Sequence, residues 1–108
     1  MIAVHETAPA AQATQLCCLR RHAEEIVEIV MRKGAAYGDS YRAFSGEVPD
    51  TAFEVAIRMK DKCKRLYTLT RAWCVDDACQ DNGEPIEDTL RDMAGYALLL
   101  LAEMEAGA

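Results

Sequence analysis

The sequence predicts an all-α domain built from three amphipathic helices, on three observations. Apolar residues return at steps of three and four in three separate stretches, the period of a helix with one buried face. No stretch alternates apolar and polar residues as a strand does. The long runs of glycine, proline, serine and aspartate fall between the periodic stretches. A chain of 108 residues, 51% apolar and 28% charged, is one globular domain by size and composition. The expected organisation is a flexible tail over 1–9 and one helical domain over 10–108. Its helices cover about 10–33, 51–73 and 84–104, with a long connection over 34–50.

In the first helix Leu16, Leu19, Ala23, Ile26, Val27, Val30 and Met31 form the apolar stripe. Its glutamates Glu24, Glu25 and Glu28 have the spacing of a metal-ligand set. Arg20–Glu24, Arg21–Glu25 and Glu28–Arg32 are, however, all four residues apart, so these side chains are expected to neutralise one another on a solvated face. Gly34 is expected to end the helix. The connection that follows, KGAAYGDSYRAFSGEVPD, carries Tyr37, Tyr41 and Phe44. Long structured connections in small domains are often functional, and an aromatic here either stacks on a base or pins the loop to the core.

The second helix has Asp50 or Thr51 as N-cap, with Glu54 placed for a capping box. Val55, Ala56, Met59, Cys63, Leu66, Tyr67 and Trp73 make its expected buried side. Glu54, Arg58, Asp61 and Arg65 recur on a second face, and Lys62 intrudes on an apolar seam. Two readings stand for these charges. One is a solvated ladder of ion pairs. The other is a mixed site, with Asp61 and Glu54 for a divalent metal and Arg58, Lys62 and Arg65 for phosphate oxygens.

The third helix opens with Glu84, Pro85, Glu87 and Asp88, negative charge at the positive end of the helix dipole and a proline that needs no partner there. Its expected buried face is Ile86, Leu90, Met93, Ala97, Leu100 and Met104. Glu84, Asp88 and Asp92 stack along one ridge, and like charges at that spacing repel by roughly 0.2–0.5 kcal/mol per pair. Asp92 has no basic residue three or four positions away on its own helix. The ridge is either a solvated acidic first turn or part of a divalent-cation site, since such cations take oxygen ligands. Asp61 and Asp92 are then expected to meet across the helix pair and share that cation. Without a metal, Asp92→Asn should relieve repulsion.

Several classes are excluded. The run Ala97–Ala102 is far too short to span a membrane. The opening MIAVHETAPAAQATQ lacks a basic region followed by an apolar core, so no secretory signal is expected. Net charge is −6 without a Lys/Arg cluster large enough to hold duplex nucleic acid. An anionic ligand therefore needs a metal or a local basic pocket. The five cysteines, Cys17, Cys18, Cys63, Cys74 and Cys79, are odd in number and lack zinc spacing with His5 and His22, which fits a reduced, cytoplasmic setting. Three apolar stripes in so short a chain bury only a thin core, so a helical-bundle homodimer is expected.

The series KGAAYGDSYRAFSG, RMKDKCKRL and EDTLRDMAGYALLLL resembles a phage-encoded group, the nucleotide-modification-associated domain. The matching positions are Lys33, Tyr37, Gly38, Asp39 and Ser40; Arg58, Asp61, Lys62, Arg65 and Leu66; and Glu87, Asp88, Asp92, Gly95 and Tyr96. More distantly the chain is similar to the MazG-like all-α nucleoside triphosphate pyrophosphohydrolases, in which two helices supply carboxylates as ExxE and ExxD. Here Thr89 stands for the Glu of ExxD and Arg58 for the first Glu of ExxE.

The resemblance implies a MazG-like architecture and hydrolysis of a (deoxy)nucleoside triphosphate at the α–β linkage, giving monophosphate and pyrophosphate. Mg²⁺ or Mn²⁺ would be held by Asp61, Asp88 and Asp92, with Glu54 or Glu84. Asp61, Lys62 and Asp92 would be the catalytic group. Arg58, Lys62, Arg65 and Lys33 would bind phosphate, and Tyr37 or Tyr41 the base. The alternative is a non-catalytic acidic helical module that binds a nucleotide or a host protein.

Overall fold

A computed structural model describes the backbone of residues 9–37, 41–76 and 86–107. All regular structure among them is helical: α1 (Pro9–Tyr37), α2 (Val48–Asp76) and α3 (Ile86–Ala106), the first two longer than the periodicity indicated and the third of the expected length. Of the expected tail over 1–9, Pro9 already belongs to α1; residues 1–8, Glu84, the Tyr37 side chain, the motif residues Gly38 to Ser40, and Cys79 lie outside the described residues.

α1 does not stop at Gly34 but continues to Tyr37. Glycine costs about 1 kcal/mol relative to alanine inside a helix, which slows propagation without ending it, and Ala35 and Ala36 follow as the strongest helix formers. α2 begins ahead of its expected cap. Pro49 occupies the first turn, and the Thr51 amide already donates to Glu47 O at 3.0 Å. Asp50 and Thr51 instead secure the preceding loop. The Thr51 hydroxyl accepts from the Ala43 amide at 3.1 Å, and Asp50 accepts from the Ser45 hydroxyl at 2.7 Å. Gly46, at φ 74°, makes the turn between them, a left-handed conformation that residues with a Cβ avoid.

α3 is the central element. α2 packs along it and α1 packs on it, while α1 and α2 make no direct helix packing with each other among the described residues. Gly95 lets α1 approach: a Cβ built there would stand 3.2 Å from Val30 Cγ2. Among the described residues the fully or nearly buried set is small, namely Thr51, Val55, Leu69, Ile86, Thr89 and Gly95.

The expected apolar faces are therefore only partly covered. On α1, Leu16, Leu19, Val27 and Met31 are exposed, with Ile26 and Val30 half-buried. On α2, Ala56, Cys63, Tyr67 and Trp73 face solvent, so Cys63 is not the core residue its position suggested. On α3, Leu90 and Met104 are exposed although they share the expected buried stripe. One neighbouring helix covers less than the width of an amphipathic stripe, and α1 and α2 each have one neighbour.

Candidate functional site at the three-helix junction

Asp92 sits where the three helices meet. Its side chain is 27% exposed; Oδ2 lies 2.8 Å from Lys62 Nζ on α2, and Oδ1 lies 3.8 Å from Lys33 Nζ on α1. The missing cation on its own helix is supplied twice over by the other two. Lys62 is 22% exposed, so the shorter pair is shielded from water and stronger than a surface pair. The intrusion of Lys62 into an apolar seam has the same explanation: its ammonium crosses the α2–α3 contact to reach a carboxylate. Arg58 and Arg65 flank Lys62 at helical spacing, and both are engaged in contacts of their own.

A second cluster lies further along the α1–α3 contact. Arg91 Nε is 2.7 Å from Glu25 Oε1 and Arg91 Nη1 donates to Asp88 Oδ1 at 3.2 Å. The Nε–H is not aimed at the Glu25 oxygen, so the 2.7 Å contact is an ion pair without a formed hydrogen bond at that atom. Of the three pairs expected within α1, Glu28–Arg32 is formed at 3.6 Å, whereas Glu25 turns to Arg91 across the helix interface.

The connection is anchored elsewhere. Arg42 Nε donates to both carboxylate oxygens of Glu103, at 2.9 and 2.6 Å, and this bond holds the Glu103 carboxyl below its usual range. Glu103 and Asp92 are eleven residues apart on one helix, about 16 Å along its axis. Tyr41 is half-buried beneath the Arg42 guanidinium, 5.5 Å from ring centroid to Cζ, while Phe44 is fully exposed and does not pin the loop to the core.

The junction thus unites Asp92, Lys62 and Lys33 from the expected set. Asp61 and Glu54 are exposed on α2, and Asp88 is held by Arg91. Among the described residues no group of three or more His, Cys, Asp or Glu side chains is placed to hold a metal ion. Both Asp92 oxygens face lysines, and the position that the resemblance assigns to a glutamate is the fully buried Thr89. As these side chains stand they do not form a cage for Mg²⁺ or Mn²⁺. Sequence reasoning missed the Glu25–Arg91 and Arg42–Glu103 pairs. The signal that could have found a cross-helix partner was the one that marked Asp92, a charge with no local counter-ion.

Comparison with known proteins finds no matching family model, no similar curated protein and no similar solved structure. No described helix is long and apolar enough to cross a membrane.

Proposed function

We propose that this chain binds a nucleoside phosphate at the junction of Lys33, Lys62 and Asp92. The observation that supports the reading is the pair of lysine ammonium groups converging on one carboxylate. A phosphate oxygen competing for those donors would meet one shielded ammonium, that of Lys62, and the more exposed Lys33 beside it. Arg58 and Arg65, one turn on either side of Lys62, extend the basic face along α2. A resident metal is not needed for this step, because a nucleotide arrives with its own divalent cation.

The pyrophosphohydrolase reading rests on the resemblance, and within it Asp92 would leave Lys62 to join Asp61, Asp88, Glu54 or Glu84 around Mg²⁺ or Mn²⁺. Lys62 would then stay to neutralise charge developing on the phosphates. Both readings keep the MazG-like helical architecture, a homodimer and a cytoplasmic setting as proposals.

One titration separates them. Calorimetry with a panel of dNTPs and NTPs, followed by a pyrophosphate assay in Mg²⁺ and Mn²⁺, should show binding that Lys62→Ala weakens about tenfold or more, the size of one lost charge-assisted contact. Binding with pyrophosphate release makes the chain an enzyme, and binding without release makes it a module. Failure of every nucleotide to bind would remove the proposal.

A further inference from the structure

We propose that the outward face of α2 binds single-stranded nucleic acid, holding its phosphates on Lys60, Lys64 and Arg71 and stacking a base on Tyr67. The inference stands apart from the nucleotide proposal, because this face is turned away from the Lys62–Asp92 junction.

Phe53, Ile57, Lys60, Lys64, Tyr67 and Arg71 follow one another along α2 at steps of four, three, four, three and four, and so form one strip about 27 Å long. The buried residues of the helix, Thr51, Val55 and Leu69, lie on its opposite side. All six strip residues are exposed, and the rings of Phe53 and Tyr67 stand 68% and 65% open to solvent.

Charge selects the occupant. Half of the chain's 12 lysines and arginines fall within residues 58–71, against the single carboxylate of Asp61. Six cations less one carboxylate put +5 on this stretch, and the net charge of −6 then leaves −11 on the remainder of the chain. The six divide by position. Arg58, Lys62 and Arg65 are engaged in contacts within the molecule. Lys60, Lys64 and Arg71, on the strip, form no ion pair with any described residue, although Glu54 and Asp61 border them. A polyanion is thus attracted to one line on α2 and repelled by the acidic remainder.

A single strand offers what the strip can take. Tyr67 stands one turn from Lys64 on one side and one turn from Arg71 on the other. A base stacked on its ring therefore has a cation for the phosphate on each side of its sugar. Phe53 and Ile57 continue the strip with apolar surface for a further base. A duplex keeps its base faces stacked internally and would meet only three cations, too few to hold it. A lipid surface fits less well. Interfacial helices carry their cations on a face apart from the apolar one, whereas here Lys60 and Lys64 interrupt the apolar line between Ile57 and Tyr67. An acidic protein would neutralise the cations without using the π-face of the ring between them.

Fluorescence anisotropy with a labelled oligothymidine lacking terminal phosphates, titrated with the full chain at several salt concentrations, tests the face. Binding should weaken with salt at a logarithmic slope of about −2, from three phosphate contacts at roughly 0.7 each. Lys64→Ala/Arg71→Ala should cut that slope to about −0.7 with helical circular dichroism unchanged. Tyr67→Ala should weaken binding roughly tenfold and leave the slope as it is. If the double variant does not fold, the wild-type slope and Tyr67→Ala decide. Absence of binding at low salt, or equal binding of a duplex of the same length or of polyglutamate, overturns the proposal. So does tighter binding to vesicles of anionic phospholipid. A loss caused by Lys62→Ala and not by the double variant would move the strand to the junction and overturn the face.

Discussion

At the scale of single residues, Asp92 shows how a charge is misjudged when only its own helix is considered. The repulsive ridge suggested that Asp92→Asn would relieve strain. With Lys62 Nζ at 2.8 Å and Lys33 Nζ at 3.8 Å, the balance reverses, because the substitution removes the carboxylate charge that a largely shielded ammonium faces. Asp92→Asn should cost roughly 1–2 kcal/mol in metal-free buffer, and a thermal melt that rises instead would restore the repulsive account. Glu103 gives a pH dependence of known sign. Its carboxyl is held below the ordinary 4.5 by the hydrogen bond from Arg42. A lowered folded value means stabilisation that is complete above the ordinary value and is lost as pH falls through the folded one. The attachment of the 41–47 loop to α3 should therefore persist at neutrality and release in acid. Thermal melts of wild type and Glu103→Gln between pH 3 and 7 check this: the gap between them should close at the acid end, and a gap constant across the range would contradict it.

At the scale of elements, the three helices were readable because periodicity and the spacing of turn residues are local properties. Their ends were less so: Gly34 punctuates the sequence, but Ala35 and Ala36 carry α1 through it, and Pro49 starts α2 before its apparent cap. The candidate site was half readable. Asp92 stood out for a missing local partner and Lys62 for its intrusion on an apolar seam, yet nothing in either helix says that they belong to each other or that Lys33 joins them from α1. Burial was the least readable property, since Leu16, Cys63 and Leu90 lie on regular apolar stripes and still face solvent. Periodicity gives the direction of a stripe, not the number of neighbours available to cover it. The α1–α3 approach at Gly95 is the contact on which Lys33 depends. A leucine there would press on Val30, whose Cγ2 already stands 3.2 Å from the Cβ position, at a cost of about 1–3 kcal/mol. Gly95→Leu should lower the melting temperature and, by moving α1, weaken nucleotide binding at the junction; unchanged stability would show that α1 can shift without penalty.

At the scale of the whole molecule, the few buried residues among those described and the many exposed apolar side chains concern the same free energy. Net stability of a small domain is a difference of a few kcal/mol between large opposing terms, and the core of Val55, Leu69 and Ile86 with two threonines is thin for three long helices. If a second copy supplies the missing burial, folding and association are one equilibrium, and stability is inseparable from protein concentration. Each tenfold rise in chain concentration then adds up to about 1.4 kcal/mol of apparent stability. At roughly 4–8 °C per kcal/mol for a domain of this size, melts at 1 and 100 µM should differ by several degrees. A wild-type midpoint constant over the hundredfold range would mean that the thin core is sufficient alone, and that the apolar surface of α1, α2 and α3 is carried at no cost to folding.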